Sequence, residues 1–279
     1  MSFKLIEVEK LYEKDPQLRK QDIEVLHQWL NGQPHLPKLM DIQIAFLLHH
    51  CYHDIEQTKI TIDHYCTIRN HCPEVFTALT PDVLKTTASI MFVNVLPKTT
   101  PEGYTIIVNK ILDEKVTNFN CGNYINLINM TATLYILQNS FLNGVIVLFD
   151  MNGFSFWHLF KLNIRILRHA LRHLQKSAPV KIKGVHVMNA LPLTDKIKAL
   201  LKPFLNNELY NSIYYHSSNS DTLYKFVPKE CLPEDFGGEL PSIKILNEES
   251  VQNLLDNYEF YEWHDSQKVD ESKRPVKRK

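Results

Sequence analysis

The fold class is decided by residues 179–189, which read PVKIKGVHVMN. Apolar, mostly β-branched residues alternate there with charged or polar ones, and this pattern predicts a strand. Two more β-branched runs lie between turn residues, YTIIVNKIL at 104–112 and GVIVLFD at 144–150. Helical spacing at 124–139 and 157–176 separates the three runs. Strands that alternate with helices of this length predict an α/β fold with a mainly parallel sheet.

The first 95 residues show helical spacing instead. Four short helices are predicted, at 22–30, from Asp41, at 55–70 and from Pro81, and no apolar run there looks like a strand. We therefore expect a helical region over 1–95, an α/β domain over 96–250 and a C-terminal extension over 251–279. The end of that extension, from Lys268, has no apolar periodicity, so we expect it to be disordered.

Composition excludes several classes of protein. The chain has 31 basic and 31 acidic residues, which leaves no net charge for a nucleic-acid partner. Only 8 glycines occur, and no phosphate-binding or nucleophile-elbow motif is present. The 5 cysteines form no C-x-x-C pair, which favours a reducing compartment. The uncharged stretch 116–149 carries seven asparagines, so we expect a soluble cytoplasmic protein without a transmembrane helix.

Residues that could carry chemistry are scattered. His49, His50 and His53 cluster, and His169 and His173 have i, i+4 spacing, but no carboxylate lies at the spacing of a third metal ligand. We therefore predict no metal site, no catalytic residue and no enzyme. A basic stripe on the 157–176 helix fits a solvated face better than a membrane contact. Its members are Lys161, Arg165, Arg168, Arg172 and Lys176.

Further motifs accompany the 179–189 strand in a fixed order. They are WLNGQPHLP at 29–37, FDMNGF at 149–154, KPFL at 202–205 and LPEDFGGELP at 232–241. In this order and spacing the chain, over about residues 10–250, resembles the CRAL-TRIO family, in the branch that includes tocopherol and retinaldehyde carriers. The resemblance implies a mixed, mainly parallel sheet flanked by helices that enclose an apolar cavity, preceded by a small all-α region.

The resemblance also implies a function. We expect a soluble intracellular carrier for one bulky isoprenoid, with tocopherol favoured and a retinoid or carotenoid still open. The alternative is a phospholipid transfer protein that binds phosphatidylinositol or phosphoinositides. An enzyme, or a membrane-tethering scaffold without ligand, is the least favoured reading. We expect a monomer that contacts membranes transiently and has no cofactor other than the bound lipid.

Site residues follow from alignment with the family. The implied ligand-binding residues are Tyr124, Ile128, Thr131, Phe149, Phe154, Leu162, Leu174, Val180 and Val185. Among them, Thr131 is the expected polar anchor. A mobile gate helix is implied at about 193–205, with an apolar face formed by Ile197, Leu200, Leu201 and Phe204. Lys181 and Lys183 match phosphoinositide-binding positions, although Glu208 and Ser212 replace two other basic positions of that cleft.

Overall fold

A computed structural model describes residues 3–190, 194–218 and 221–275 of the protein. The α-helices are α1 (Val8–Lys14), α2 (Lys20–Asn31), α3 (Asp41–His50), α4 (Ile55–His71), α5 (Pro73–Phe76), α6 (Pro81–Ile90), α7 (Cys121–Gln138), α8 (Phe156–Leu159), α9 (Ile164–Lys176), α10 (Thr194–Leu201), α11 (Asn207–Asn211), α12 (Ile243–Asp256) and α13 (Tyr258–Ser266). The strands are β1 (Met91–Val95), β2 (Thr105–Ile111), β3 (Val145–Asp150), β4 (Ile182–Met188) and β5 (Ile213–Tyr215). Short 3₁₀ turns lie at Lys202–Phe204, Asp221–Lys225, Lys229–Cys231, Glu234–Phe236 and Glu271–Lys273.

The strands form one sheet in the order β1-β2-β3-β4-β5. Strands β1 and β2 are antiparallel, and each later pair is parallel. The predicted mixed, mainly parallel sheet is therefore confirmed. The prediction that no strand precedes residue 95 is wrong, because MFVNV forms β1 directly after α6. Such a short, buried apolar run has no periodicity that would separate it from the end of a helix.

Side-chain alternation gives the sheet two different faces. In β2, Ile106 and Val108 point to the back of the sheet, where they pack with Ile146 and Leu148 of β3. That back layer is closed by residues 223–246, which contribute Leu223, Val227, Cys231, Leu232, Leu240, Ile243 and Leu246. The front face carries the intervening residues of each strand, and the helices lie over it.

The LPEDFGGELP motif closes the back layer through its own backbone. Leu240 N donates to Leu232 O at 2.9 Å and Glu234 N donates to Leu240 O at 3.0 Å, which folds the motif on itself. Gly237 has φ +70°, and a Cβ on Gly238 would lie 2.0 Å from Leu232 O. Both glycines are therefore required by the turn, and the motif covers the side of the sheet away from the front-face helices.

The N-terminal helices and the sheet domain share a core. Leu127, Met130 and Leu134 of α7 pack in one buried cluster with residues of α2, α3 and α4. The division at residues 95 and 250 stays a prediction. Strand β1 nevertheless lies in the sheet, and α12 runs through residue 250.

The helix predicted over 157–176 is interrupted. Asn163 accepts hydrogen bonds at its side chain from Arg165 N and Ile166 N, so it caps α9 and separates it from the single turn α8. The spacing of apolar residues alone does not predict this cap, because an Asn within a periodic run can lie inside one continuous helix or cap the start of a new one. The five residues of the predicted basic stripe are exposed to solvent.

The prediction that the chain is disordered from Lys268 is wrong for residues 268–275, and residues 276–279 lie outside the described part. Arg274 has a side chain only 6% exposed, and its Nη1 lies 3.0 Å from Asp63 Oδ1 of α4. Its Nη2 donates to Thr67 Oγ1 at 2.9 Å. One buried guanidinium therefore fixes a segment that has no apolar periodicity.

We expect Arg274→Ala to lower the free energy of unfolding by about 3 kcal/mol, because removing one partner leaves Asp63 without its buried cation. Urea denaturation would measure the loss. Lys273→Ala is the matched control, since Lys273 is 61% exposed beside Asp270 and should change stability by less than about 0.5 kcal/mol. Equal effects of the two substitutions would contradict this anchoring role.

Candidate functional site

A cavity of about 420 Å³ lies between the front face of the sheet and the helices. Its floor consists of alternate strand residues, for example Ile107 of β2, Val147 of β3 and Val187 of β4. Its walls come from α3, α7, α9 and α10, and most of the lining is apolar. A space of this size lies within the range typical of small-molecule sites.

Most of the residues predicted from sequence meet at this cavity. The lining contains Tyr124, Ile128, Phe149, Phe154, Leu162, Leu174, Val180 and Val185. Leu162 reaches the cavity from the break between α8 and α9, which is not the helical position that the sequence predicted. Whether these residues bind a ligand stays a prediction.

Thr131 does not line the cavity. It lies on the side of α7 that carries Leu127 and Leu134, whereas the cavity side carries Ile128, Ala132 and others. Its hydroxyl is buried without a hydrogen-bond partner among the described residues. A shift of one residue turns a helical side chain by about 100°, which is enough to move it from one face to another. The role of Thr131 as polar anchor therefore stays a prediction that the cavity lining does not support.

A bulge explains why Val180 and Val185 both reach the cavity. Along one regular strand, positions 180 and 185 would point to opposite faces. The register between β3 and β4 shifts after Val145, which pairs with Ile182, while Ile146 pairs with Gly184. The extra residue resets the alternation, so residues on both sides of it point to the front face.

Two polar side chains of the cavity wall lack partners. Asn129 and Thr133 lie one turn apart on α7, and neither side chain hydrogen-bonds within the part of the chain that the structure describes. The neighbouring Tyr124 differs, because its hydroxyl donates to Asn109 Oδ1 at 3.2 Å. Asn129 and Thr133 can therefore offer donors and acceptors to a molecule in the cavity. Sequence reasoning missed both of them.

At one end the cavity meets a buried polar cluster. His173 lines the wall, and burial, with a smaller contribution from Arg69, lowers the pKa of its imidazole to about 3. Tyr65 also lines the wall, and its hydroxyl hydrogen-bonds His264 Nε2 at 2.7 Å. His173 is therefore neutral at physiological pH and adds polarity without charge.

The charged residues at the cavity edge have partners. Lys110 forms an ion pair with Asp150, whose other oxygen accepts from Asn189 Nδ2 at 2.7 Å. Lys198 Nζ lies 4.6 Å from the ring centroid of Tyr210 and 5.1 Å from that of Tyr215. These contacts leave the described lining without an uncompensated anionic side chain.

The predicted gate helix is α10 with the turn that follows it, and residue 193 lies outside the described part. Ile197 and Leu201 line the cavity, whereas Phe204 does not. Leu200 also lies outside the lining and is 38% exposed. Gln175 of α9 holds the end of this segment, because its Nε2 donates to Phe204 O at 2.9 Å.

Exposed aromatic rings lie next to the gate helix. Trp157 is 66% exposed, Phe160 is 70% exposed and Phe156 is 44% exposed, and their ring centroids lie within 6.0 Å of one another. Lys196 of α10 lies over the ring of Phe156 at 5.2 Å. We call Phe156, Trp157 and Phe160 the aromatic patch. Three large rings at one exposed turn are unusual for a surface that contacts only water.

Lys181 and Lys183 lie at the start of β4, outside the cavity lining. Lys183 is exposed, and its Nζ lies 5.8 Å from the ring centroid of Tyr104. Lys181 Nζ lies 3.7 Å from the ring centroid of Tyr52. Burial and the charge of Lys181 lower the pKa of the neighbouring His50.

Comparison with known proteins agrees with this architecture. A family model described as the CRAL/TRIO domain matches residues 90–238, more than half of the chain. The chain therefore belongs to the CRAL/TRIO family, whose members are lipid-binding transfer proteins. A second model, described as a Pinta-like UBA domain, matches residues 15–84 in the helical N-terminal region.

The individual relatives have low sequence identity to this chain. The human protein named alpha-tocopherol transfer protein-like is 29% identical over 235 residues, which cover 82% of this chain and 68% of that protein. Clavesin-1 of Xenopus laevis is 37% identical over 100 residues, which cover 36% of this chain and 30% of that protein.

The crystal structure of Sfh5 has the same fold. It is 14% identical, has a TM-score of 0.54 and covers 88% of this chain and 98% of its own. Within the described residues, no helix has both the length and the apolar character needed to cross a bilayer.

Proposed function

We propose that the protein carries one neutral isoprenoid with a single polar end, of the tocopherol type, and exchanges it at membranes. The observation that carries this proposal is the apolar cavity of about 420 Å³ behind α10. The relatives named alpha-tocopherol transfer protein-like favour tocopherol over the retinoids and carotenoids. In this proposal the protein is a soluble cytoplasmic monomer.

The energetics of the cavity favour an occupant. An unfilled apolar cavity costs about 24 cal/mol per Å³, which for this volume is on the order of 10 kcal/mol. Filling it with an apolar molecule restores the missing contacts and removes that molecule from water, at about 25 cal/mol per Å² of apolar surface. An isoprenoid fits this requirement, because nearly all of its surface is apolar.

The electrostatics favour an uncharged occupant. Lys110 is already paired with Asp150, and Lys198 already lies over two tyrosine rings. A ligand carboxylate or phosphate inside the cavity would have to break one of these contacts or remain unpaired at a high cost. A hydroxyl needs only a hydrogen-bond partner.

Asn129 and Thr133 are the partners that we assign to that hydroxyl. Both line the cavity, and both have unused hydrogen-bonding capacity among the described residues. They replace Thr131 in this role, because Thr131 is not among the residues that line the cavity.

Exchange at a membrane requires a route out of the cavity. Helix α10 covers the cavity with Ile197 and Leu201, and the aromatic patch adjoins it through Lys196 and Phe156. Trp and Phe side chains partition into the interface of a bilayer, where an apolar helix face can also be accommodated. Docking through the patch would therefore present the gate to the lipid.

The alternative function is phospholipid transfer with phosphoinositide binding at Lys181 and Lys183. In its favour, both lysines lie at the start of β4. Against it, Lys181 is already in contact with the ring of Tyr52. The two functions differ in what occupies the cavity and in whether these lysines matter.

We expect α-tocopherol to be recovered by organic extraction and mass spectrometry from the protein after incubation with mixed lipids. Asn129→Leu and Thr133→Val should each weaken α-tocopherol binding about fivefold to tenfold, because each removes one hydrogen bond, worth about 1 kcal/mol. Thr131→Val is the matched control on the same helix and should leave binding unchanged. Loss of binding in the control alone, or no bound isoprenoid at all, would refute the assignment.

The aromatic patch should govern membrane docking. The double substitution Trp157→Ala, Phe160→Ala should weaken binding to phosphatidylcholine vesicles at least about tenfold in a sedimentation assay, since burying each ring contributes about 1.5–3 kcal/mol. Ile60→Ala on α4 is the control, because Ile60 is 52% exposed but distant in sequence from the gate. An equal loss in both variants would show that the patch has no special role.

The phosphoinositide alternative has its own test. If it is correct, vesicles containing phosphatidylinositol bisphosphate should bind the protein more tightly than phosphatidylcholine vesicles, and Lys181→Ala with Lys183→Ala should abolish the difference. We expect the difference to be small in the unmodified protein. A large, lysine-dependent difference would favour the alternative.

A further inference from the structure

Outside the cavity, three potential metal ligands converge at the end of α3. His49 Nδ1 lies 2.6 Å from Asp15 Oδ2, and His53 Nε2 lies 3.1 Å from the same oxygen. One ligand atom from each residue lies within 4.8 Å of the others. The side chains are 36%, 16% and 11% exposed for His49, His53 and Asp15, so an ion from solvent can reach them.

The local backbone explains how the two histidines converge. Helix α3 ends in a Schellman motif, in which His53 N donates to Leu48 O at 2.9 Å and Tyr52 N donates to His49 O at 3.0 Å. Tyr52 and His53 have φ of +54° and +64°, which residues other than glycine rarely adopt. This turn brings His53 back beside His49, where both imidazoles can contact one carboxylate.

The third member comes from a distant part of the chain. Asp15 follows α1 and lies 34 residues before His49. Its Oδ1 accepts from Gln17 N at 3.0 Å, which orients the carboxylate and leaves Oδ2 for the histidines. The prediction of no metal site rested on the lack of a carboxylate near the histidines in sequence. Only the packing of α1 against α3 supplies it.

The surroundings favour a cation. The site lies at the C-terminal end of α3, where the helix dipole is negative. The ring of His49 is stacked at 3.9 Å on Phe141, which limits its rotation.

We propose that Asp15, His49 and His53 form a binding site for a divalent transition-metal ion of the zinc type. Two imidazoles and one carboxylate are a ligand set that suits Zn²⁺, with water as the fourth ligand. Tetrahedral bonds of about 2.0–2.1 Å place ligand atoms about 3.3 Å apart. The His53 contact has nearly this length, and the His49 contact must widen by several tenths of an ångström as the metal replaces the shared proton.

A metal here would connect the N-terminal helices to the cavity wall. Asp15 precedes α2, His49 ends α3, and Phe46 of α3 lines the cavity. Phe141, stacked on His49, also contacts Phe46 with ring centroids 5.2 Å apart. The ion would therefore stabilise this wall without contacting the ligand.

The test uses the full chain with its purification tag removed and all metal stripped by a chelator. Calorimetric titration with Zn²⁺ should show one ion bound per chain, and Co²⁺ should give the visible absorption of a tetrahedral site. Bound Zn²⁺ should raise the melting temperature, because only the folded chain holds the three ligands together.

Asp15→Asn, His49→Phe and His53→Asn should each weaken Zn²⁺ binding at least about tenfold. Phe keeps an aromatic ring against Phe141, and Asn tolerates the left-handed backbone, so these variants should fold, as melts without metal would verify. The matched control is His27→Ala, since His27 lies 2.7 Å from Asp41 and no third potential ligand joins this pair among the described residues. Failure of Zn²⁺ to bind, or binding that survives all three substitutions, would overturn the proposal.

Discussion

The structure depends on a sheet whose two faces are covered in different ways, one by tight packing and the other by helices with a cavity beneath them. The back face is closed by the chain itself, through residues 223–246. The front face is covered by helices that leave about 420 Å³ unfilled. A cost on the order of 10 kcal/mol for that space is comparable to the whole net stability of a typical domain. In the proposed function, a lipid of suitable size would complete the core that the chain leaves open.

Some polar groups around the cavity already have a hydrogen-bond or ion-pair partner, and others can still form a hydrogen bond with a ligand. Lys110 and Asp150 neutralise each other, and burial keeps His173 uncharged. Asn129 and Thr133 keep free hydrogen-bonding capacity within the described structure. In the proposed function, most of the binding energy would come from shape and apolar area, and the polar pair would orient a ligand hydroxyl.

Helix α7 links the two halves of the protein. One side of it lines the cavity, and the other side packs Leu127, Met130 and Leu134 against the N-terminal helices. The helical region is therefore part of the wall and not an independent appendage. Phe141 contacts both Phe46 of the cavity wall and His49, so it connects the cavity wall to the proposed metal site at Asp15, His49 and His53.

The sequence by itself indicated several of the helices and three of the strands, because periodicity and β-branching reflect the local backbone geometry of consecutive residues. The resemblance to the family implied the mixed sheet and eight of the residues that line the cavity. Motifs in register supplied the family. Only the tertiary structure decided which residues of α7 meet the cavity, and it placed Asn129 and Thr133 in the lining but not Thr131. It also reset the alternation of β4 through a bulge and joined Asp15 to two histidines. These outcomes depend on contacts between residues far apart in the chain, about which local periodicity carries no information.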